Sequence, residues 1–119
     1  MGLRKLDEDQ IIPLTPPEFH ILLALAGRPL YGYAIIEDCH ADSEGAVRIG
    51  ASTMYTALKR LLRARWIEES HRARGAGSSH DRRIYKLTEN GWQVLAWETD
   101  RLRRAANLAA TRLRSAKKP

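Results

Sequence analysis

Between Gly50 and Leu87 the chain sets hydroxyl and cationic side chains at spacings suited to contact with a polyanion. Turning by about 100° per residue from Ala51 to Ala64 gathers Met54, Leu58, Leu61 and Leu62 on one arc of a helix, with Tyr55 at its edge. Thr56, Arg60 and Arg63 fall opposite, and Ser52, Thr53 and Lys59 flank them. Hydroxyls and cations on such a face can hydrogen-bond base edges and neutralise phosphates. Taken alone, the same face describes an ordinary solvated helix surface. The segment that follows separates the two readings.

Residues 66–70 and 83–87 are short runs rich in aromatic or β-branched residues, and the Gly/Ser/Asp-rich stretch between them carries His71, Arg72, Arg74, His80 and Arg82. This predicts a β-hairpin with a basic tip. Cations on such a tip gain little as structure, but beside a phosphate backbone each releases a condensed counterion. Gly75-Ala-Gly77 does not read as a nucleotide-binding loop, because no third glycine follows and no helix opens there. A basic amphipathic helix followed by a basic hairpin is the pattern of a winged helix, whose reading helix enters the major groove of double-stranded DNA. In this reading Ser52, Thr53, Thr56 and Arg60 select sequence. Lys59 and Arg63 share their face, and Arg72, Arg74, Arg82 and Arg83 hold the backbone.

No other constellation in the chain points to chemistry. Cys39 is the only cysteine, and its neighbours Glu37, Asp38, His40 and Asp42 superficially suggest a metal site. Adjacent residues on a helix point about 100° apart, so Cys39 and His40 cannot converge on one ion. The better reading is a small buried thiol beside a surface histidine. No catalytic group, metal site or cofactor is expected, and the chain does not read as an enzyme.

The elements that must position the reading helix are also legible. A polar arm through residue 13, disordered or packed on a partner subunit, precedes a helix that starts at Thr15, with Pro16 at its first position and Glu18 completing a capping box. Phe19, Leu22, Leu23 and Ala26 form its apolar stripe, and Gly27 ends it. A second helix runs from about Tyr31 to His40, burying Ile35, Ile36 and Cys39, and the linker from Asp42 to Gly45 breaks it. Val47 to Ile49 form a short extended piece before the basic helix. The fold class is therefore mainly α with a small β-hairpin, a winged helix over residues 14–87.

After the hairpin Thr88 caps a long helix over residues 88–115, followed by a frayed tail. Trp92, Leu95, Thr99, Leu102, Ala106, Ala109 and Leu113 recur at alternating steps of three and four, a heptad seam. A seam that narrow seeks another helix, and a domain of this size has none to spare. The simplest partner is the same helix of a second copy.

Charge agrees with this division. The chain has 119 residues and a net charge of +6, but residues 1–47 hold three Lys/Arg against eight Asp/Glu and residues 48–119 hold seventeen against six. So basic a second half points to a nucleic acid. There is no apolar run long enough to span a membrane, and no signal peptide is apparent, so the expected location is the cytoplasm. The single cysteine suits a reducing compartment.

Leu30-Tyr-Gly-Tyr-Ala-Ile-Ile36, Ser52-Thr-Met-Tyr55 with Leu58-Lys-Arg-Leu61, and Tyr85-Lys-Leu-Thr-Glu-Asn-Gly91 resemble the marker segments of PadR-type transcriptional regulators, in order, over residues 14–115. The resemblance implies a homodimeric repressor of the short subfamily, with the last helix as its dimerisation arm. It implies DNA contact for Ser52, Thr53 and Tyr55, and it places Tyr31 and Tyr33 at the family's aromatic positions beside the reading helix. Two departures stand out. Ser52-Thr53 replaces the Gly-Thr common in relatives, and Arg65-Trp66 replaces a glycine turn before the first wing strand, so a residue with a side chain must make that turn. The resemblance also implies a small-molecule effector, since some relatives bind planar aromatic compounds, for which Trp92 and Trp97 are the candidates here. Packing into the core is the favoured role for Trp92, and Trp97, off the seam, lines a pocket or covers the partner's domain. The alternative to a DNA reader is a winged-helix module for protein contacts.

Overall fold

The computed structural model describes residues 7–70 and 83–116. In chain order they form α1 (Glu8–Ile11), α2 (Pro16–Gly27), β1 (Leu30–Tyr31), α3 (Gly32–Asp42), α4 (Ala51–Arg63), β2 (Ile67–Ser70), β3 (Ile84–Leu87) and α5 (Glu89–Ala116). α2 begins as expected. The Thr15 hydroxyl accepts from the Glu18 N–H, and the Glu18 carboxylate accepts from the Thr15 N–H, which satisfies two donors that the first turn leaves open.

The sheet has three strands rather than two, in the order β1-β3-β2 and antiparallel throughout. Leu30 pairs with Tyr85 and Tyr31 with Ile84 on one side of β3, while Ile67 pairs with Leu87 and Ser70 with Ile84 on the other. Tyr31, expected at the start of the second helix, therefore lies in β1, and α3 opens at Gly32 and runs on to Asp42. A strand of two residues shows no period in the sequence, and only its pairing with β3 creates it. Residues 47–49 form no strand, although Ile49 is buried.

Ile21, Leu22, Ile35, Met54, Leu58, Leu61, Ile67 and Val94 form the centre of the core. The N-terminal segment joins it. Residues 8–11 are helical, Ile11 and Ile12 pack against the core, and α1 lies on α5 of its own chain. Residues 1–6 of that arm, and the tail from residue 117, lie outside the described residues.

Two helices end on left-handed residues that are not glycine. At the end of α4 Arg65 has φ 66°, its N–H bonds to the Leu62 carbonyl, and the Trp66 N–H reaches back to Leu61. Glu44 (φ 56°) does the same after α3. Both are Schellman ends, in which paired reverse hydrogen bonds satisfy the last carbonyls and hold a side chain where glycine is favoured. The turn at Arg65-Trp66 is thus made in the glycine conformation, without the glycine.

α5 starts on top of that turn. The Thr88 hydroxyl accepts from the Gly91 N–H at 3.0 Å and donates to the Arg65 carbonyl at 2.7 Å, and the Thr88 N–H donates to the Trp66 carbonyl. A Cβ at Gly91 would lie 2.0 Å from the Trp66 carbonyl oxygen. Close backbone approach is what Gly91 provides. It locks the end of α4, the start of the wing and the start of α5 into one joint.

Candidate nucleic-acid interface

α4 is packed on one side and open on the other. Met54, Ala57, Leu58 and Leu61 are buried, while Ser52, Thr53, Tyr55, Thr56, Lys59, Arg60 and Arg63 are exposed. Leu62 is only half-buried at one edge, and Ala57 extends the packed arc at the other. The hydroxyl and cationic side chains therefore emerge together, as the 3.6-residue period requires.

They are not equally free. Arg60 donates from Nε and Nη2 to Glu18 Oε2 at 3.0 and 2.8 Å, which ties α4 to the first turn of α2. The other Glu18 oxygen holds the Thr15 cap, so one carboxylate both starts α2 and anchors α4. Lys59 and Arg63 are the α4 cations left outward, since among the described residues no acid faces them. The two partners are 42 residues apart, and no local pattern announces such a contact.

Gly32 brings the start of α3 against α4. A Cβ there would come within 3.1 Å of the Tyr55 hydroxyl oxygen and 3.2 Å of Met54 Cε. Tyr31, Tyr33 and Tyr55 are all exposed, and Tyr31 and Tyr33 flank the glycine that meets Tyr55. The Tyr33 hydroxyl is held above its ordinary pKa, first by its hydrogen bond to Glu37, then by that residue's charge and by desolvation, and stays protonated.

The stem of the wing is electrically matched. Lys86 faces Glu68, its register partner, at 3.6 Å, and Arg83, just before β3, reaches Glu69 diagonally at 3.7 Å. Arg83 therefore has acidic company. Arg72, Arg74 and Arg82, with His71 and His80, lie outside the described residues.

The expected seam on α5 divides. Of its members, Leu95 is buried in the chain's own core, Thr99 is half-buried, and Trp92, Leu102, Ala106, Ala109 and Leu113 are exposed. The docked face of α5 instead runs Gly91, Val94, Leu95 and Glu98. This reverses the two tryptophans: Trp92, expected to pack in the core, is 51% exposed, whereas Trp97 packs against the core. Heptad spacing marks a face of a helix without saying which neighbour the face meets. Trp92 borders a groove of about 410 Å³ with Leu95, Ala96, Thr99, Asp100 and Arg103, and Trp97 does not line it. Glu98, buried and charged, carries no signal in the sequence.

Cys39 is fully buried and His40 exposed. Burial first, then the charges of Asp42 and Asp38, push the thiol up to about 11, so it is a poor nucleophile and ligand. Among the described residues no group of three His, Cys, Asp or Glu could hold a metal ion, and no helix is long and apolar enough to cross a membrane.

Three helices, a wing stem after the reading helix and an arm helix beyond it define a winged-helix DNA-binding fold. The chain belongs to the PadR-like transcriptional regulator family, whose sequence model matches residues 21–97. A PadR family transcription regulator from Clostridium difficile superposes with a TM-score of 0.68 at 25% identity, covering 83% of this chain and 99% of the other. A transcriptional regulator from Clostridium thermocellum shares the fold, with a TM-score of 0.66 at 20% identity over 80% of this chain and 87% of its own. Bacillus subtilis PadR, solved in complex with operator DNA, gives 0.58 at 26% identity over 66% of this chain and 44% of its own, so the match spans less than half of that protein. Comparison with curated protein sequences gave no match.

Proposed function

We propose that the protein is a homodimeric, sequence-specific repressor that acts in the cytoplasm and releases DNA when a small molecule binds. The observation that carries this reading is the outward face of α4, where Ser52, Thr53, Thr56, Lys59 and Arg63 are exposed on a helix whose other side is fully packed. The operator complex of Bacillus subtilis PadR, a relative at 26% identity, supports placing DNA against that face. In this reading Ser52, Thr53 and Thr56 contact base edges, Lys59, Arg63 and the wing arginines Arg72, Arg74 and Arg82 contact phosphates, and Tyr31, Tyr33 and Tyr55 border the contact.

The exposed seam of α5 supports a two-fold dimer. The seam residues Leu102 and Leu113 are 38% and 67% exposed, an apolar stripe that a lone arm has no reason to carry. A two-fold dimer presents two reading helices, so the operator is an inverted repeat with half-site centres one helical turn, about 34 to 36 Å, or a multiple of it apart. The groove beside Trp92 is the effector site of this reading and suits a planar aromatic compound, with Asp100 and Arg103 as polar anchors. A ligand there acts on the joint at residues 65–66 and 88–91, and shifts DNA binding only by binding two arm geometries unequally.

A gel-shift titration on the DNA immediately upstream of the protein's own gene, against random-sequence DNA, tests the reading. Specific binding that weakens steeply between about 50 and 200 mM salt is expected. Equal affinity for both DNAs would refute sequence-specific readout.

A further inference from the structure

Glu98 is the one buried charged side chain among the described residues, at 1% exposure. It stands where α5 leaves the domain: it is the last buried residue of the helix, and the chain beyond it is half-buried or exposed. Its Oε2 accepts from the Leu14 backbone N–H at 3.0 Å, a contact across 84 residues. Arg101 closes on the same carboxylate, from Nε to Oε1 at 2.7 Å and from Nη2 to Oε2 at 2.9 Å.

An apolar side chain at this place would bury as well without the desolvation cost of a charge. What the carboxylate adds is direction, because both oxygens are held by donors of fixed geometry. The contact also continues toward the reading helix. Leu14 immediately precedes Thr15, whose N–H is held by Glu18, and Glu18 in turn holds Arg60 of α4. A line of charge-assisted hydrogen bonds thus connects the root of the arm, the start of α2 and the donor-bearing helix.

We infer that Glu98 is a positioning residue that fixes the angle between the α5 arm and the winged-helix domain, and with it the separation of the two reading helices. The inference rests on the homodimer proposed above. Residues 99–116 span about 27 Å at 1.5 Å per residue, so a tilt of about 10° at Glu98 moves the far end by about 5 Å. Carried over to the reading helices, a shift of that size is about one-seventh of a half-site separation of about 34 to 36 Å, and it sets which operator spacing the dimer accepts.

The test is a distance measurement in the full-length protein without DNA. Ser52→Cys, on the exposed face of α4, is nitroxide-labelled, while buried Cys39 stays unreacted, and the distance between labels is read by pulsed dipolar spectroscopy. The wild-type background is compared with Glu98→Gln, which keeps size and an acceptor, and with Arg101→Gln, which loosens the same carboxylate from a more exposed position. The expected result is a narrow wild-type distribution that shifts or widens by about 5 Å in both variants. Wild-type centre and width retained in both variants would overturn the inference while leaving the dimer standing. A wild-type protein with no intermolecular signal would overturn the dimer, and the inference with it.

Discussion

The two halves of α5 are one continuous helix put to different uses. In the first half Gly91, Val94, Leu95 and Glu98 are buried against the chain's own domain. In the second, from Asp100 onward, no residue is buried, and the seam leucines Leu102 and Leu113 are exposed. The difference shows that one apolar stripe can be covered along part of its length only: Val94 and Leu95 are completed within the chain, while its continuation through Leu102, Ala109 and Leu113 stays exposed. α4 repeats the division on a smaller scale: Arg60 is bound inward by Glu18, while Lys59 and Arg63 on the same face point out.

Substitution in the docked half has the largest expected effect. Gly91→Ala sets a methyl against backbone at the joint, and is expected to cost roughly 3 kcal/mol or more, read as a lower urea midpoint. Leu102→Ala in the free half is expected to leave the fold of each chain intact and weaken self-association by about 2 kcal/mol, measured as a raised dimer dissociation constant. If Leu102→Ala lowered stability independently of protein concentration, the two halves would not differ as described.

Glu98 marks the boundary and carries a pH signature. Its hydrogen bond from Arg101 outweighs desolvation and, with the Leu14 N–H, holds its carboxyl below the ordinary carboxylate range. A depressed folded-state pKa means that this stabilisation is complete above the unfolded value of about 4.3 and is lost as pH falls through the folded value. Thermal melts from neutral to acidic pH should show a steeper loss for wild type than for Glu98→Gln. Parallel curves would remove Glu98 as a source of acid sensitivity.

The α4 comparison yields smaller effects. Arg63→Ala is expected to reduce the salt slope of DNA binding by about one, as a lost phosphate contact does. Arg60→Ala should change that slope less and lower stability by about 1 kcal/mol, because its partner is Glu18. Equal changes in slope would put both arginines on the phosphates.

What was legible in the sequence was local. The Thr15 capping box, the buried and open faces of α4, the wing strands and the Thr88 cap each follow from residues within one or two turns of each other. What was not legible depends on contacts between distant segments. β1 exists through its pairing with β3, Arg60 is held by a residue on another helix, and Leu14 meets Glu98 across most of the chain. The exchange of Trp92 and Trp97 has the same origin, because spacing puts the two on opposite flanks of the docked stripe and only tertiary docking decides which flank is covered.

The contrast between the halves of α5 is tested most directly by sedimentation equilibrium of the full-length chain at micromolar concentration. A single species of twice the 13.5 kDa chain mass is expected. A species of 13.5 kDa across that range would contradict it, leaving the exposed part of the α5 stripe at Leu102 and Leu113 without a partner.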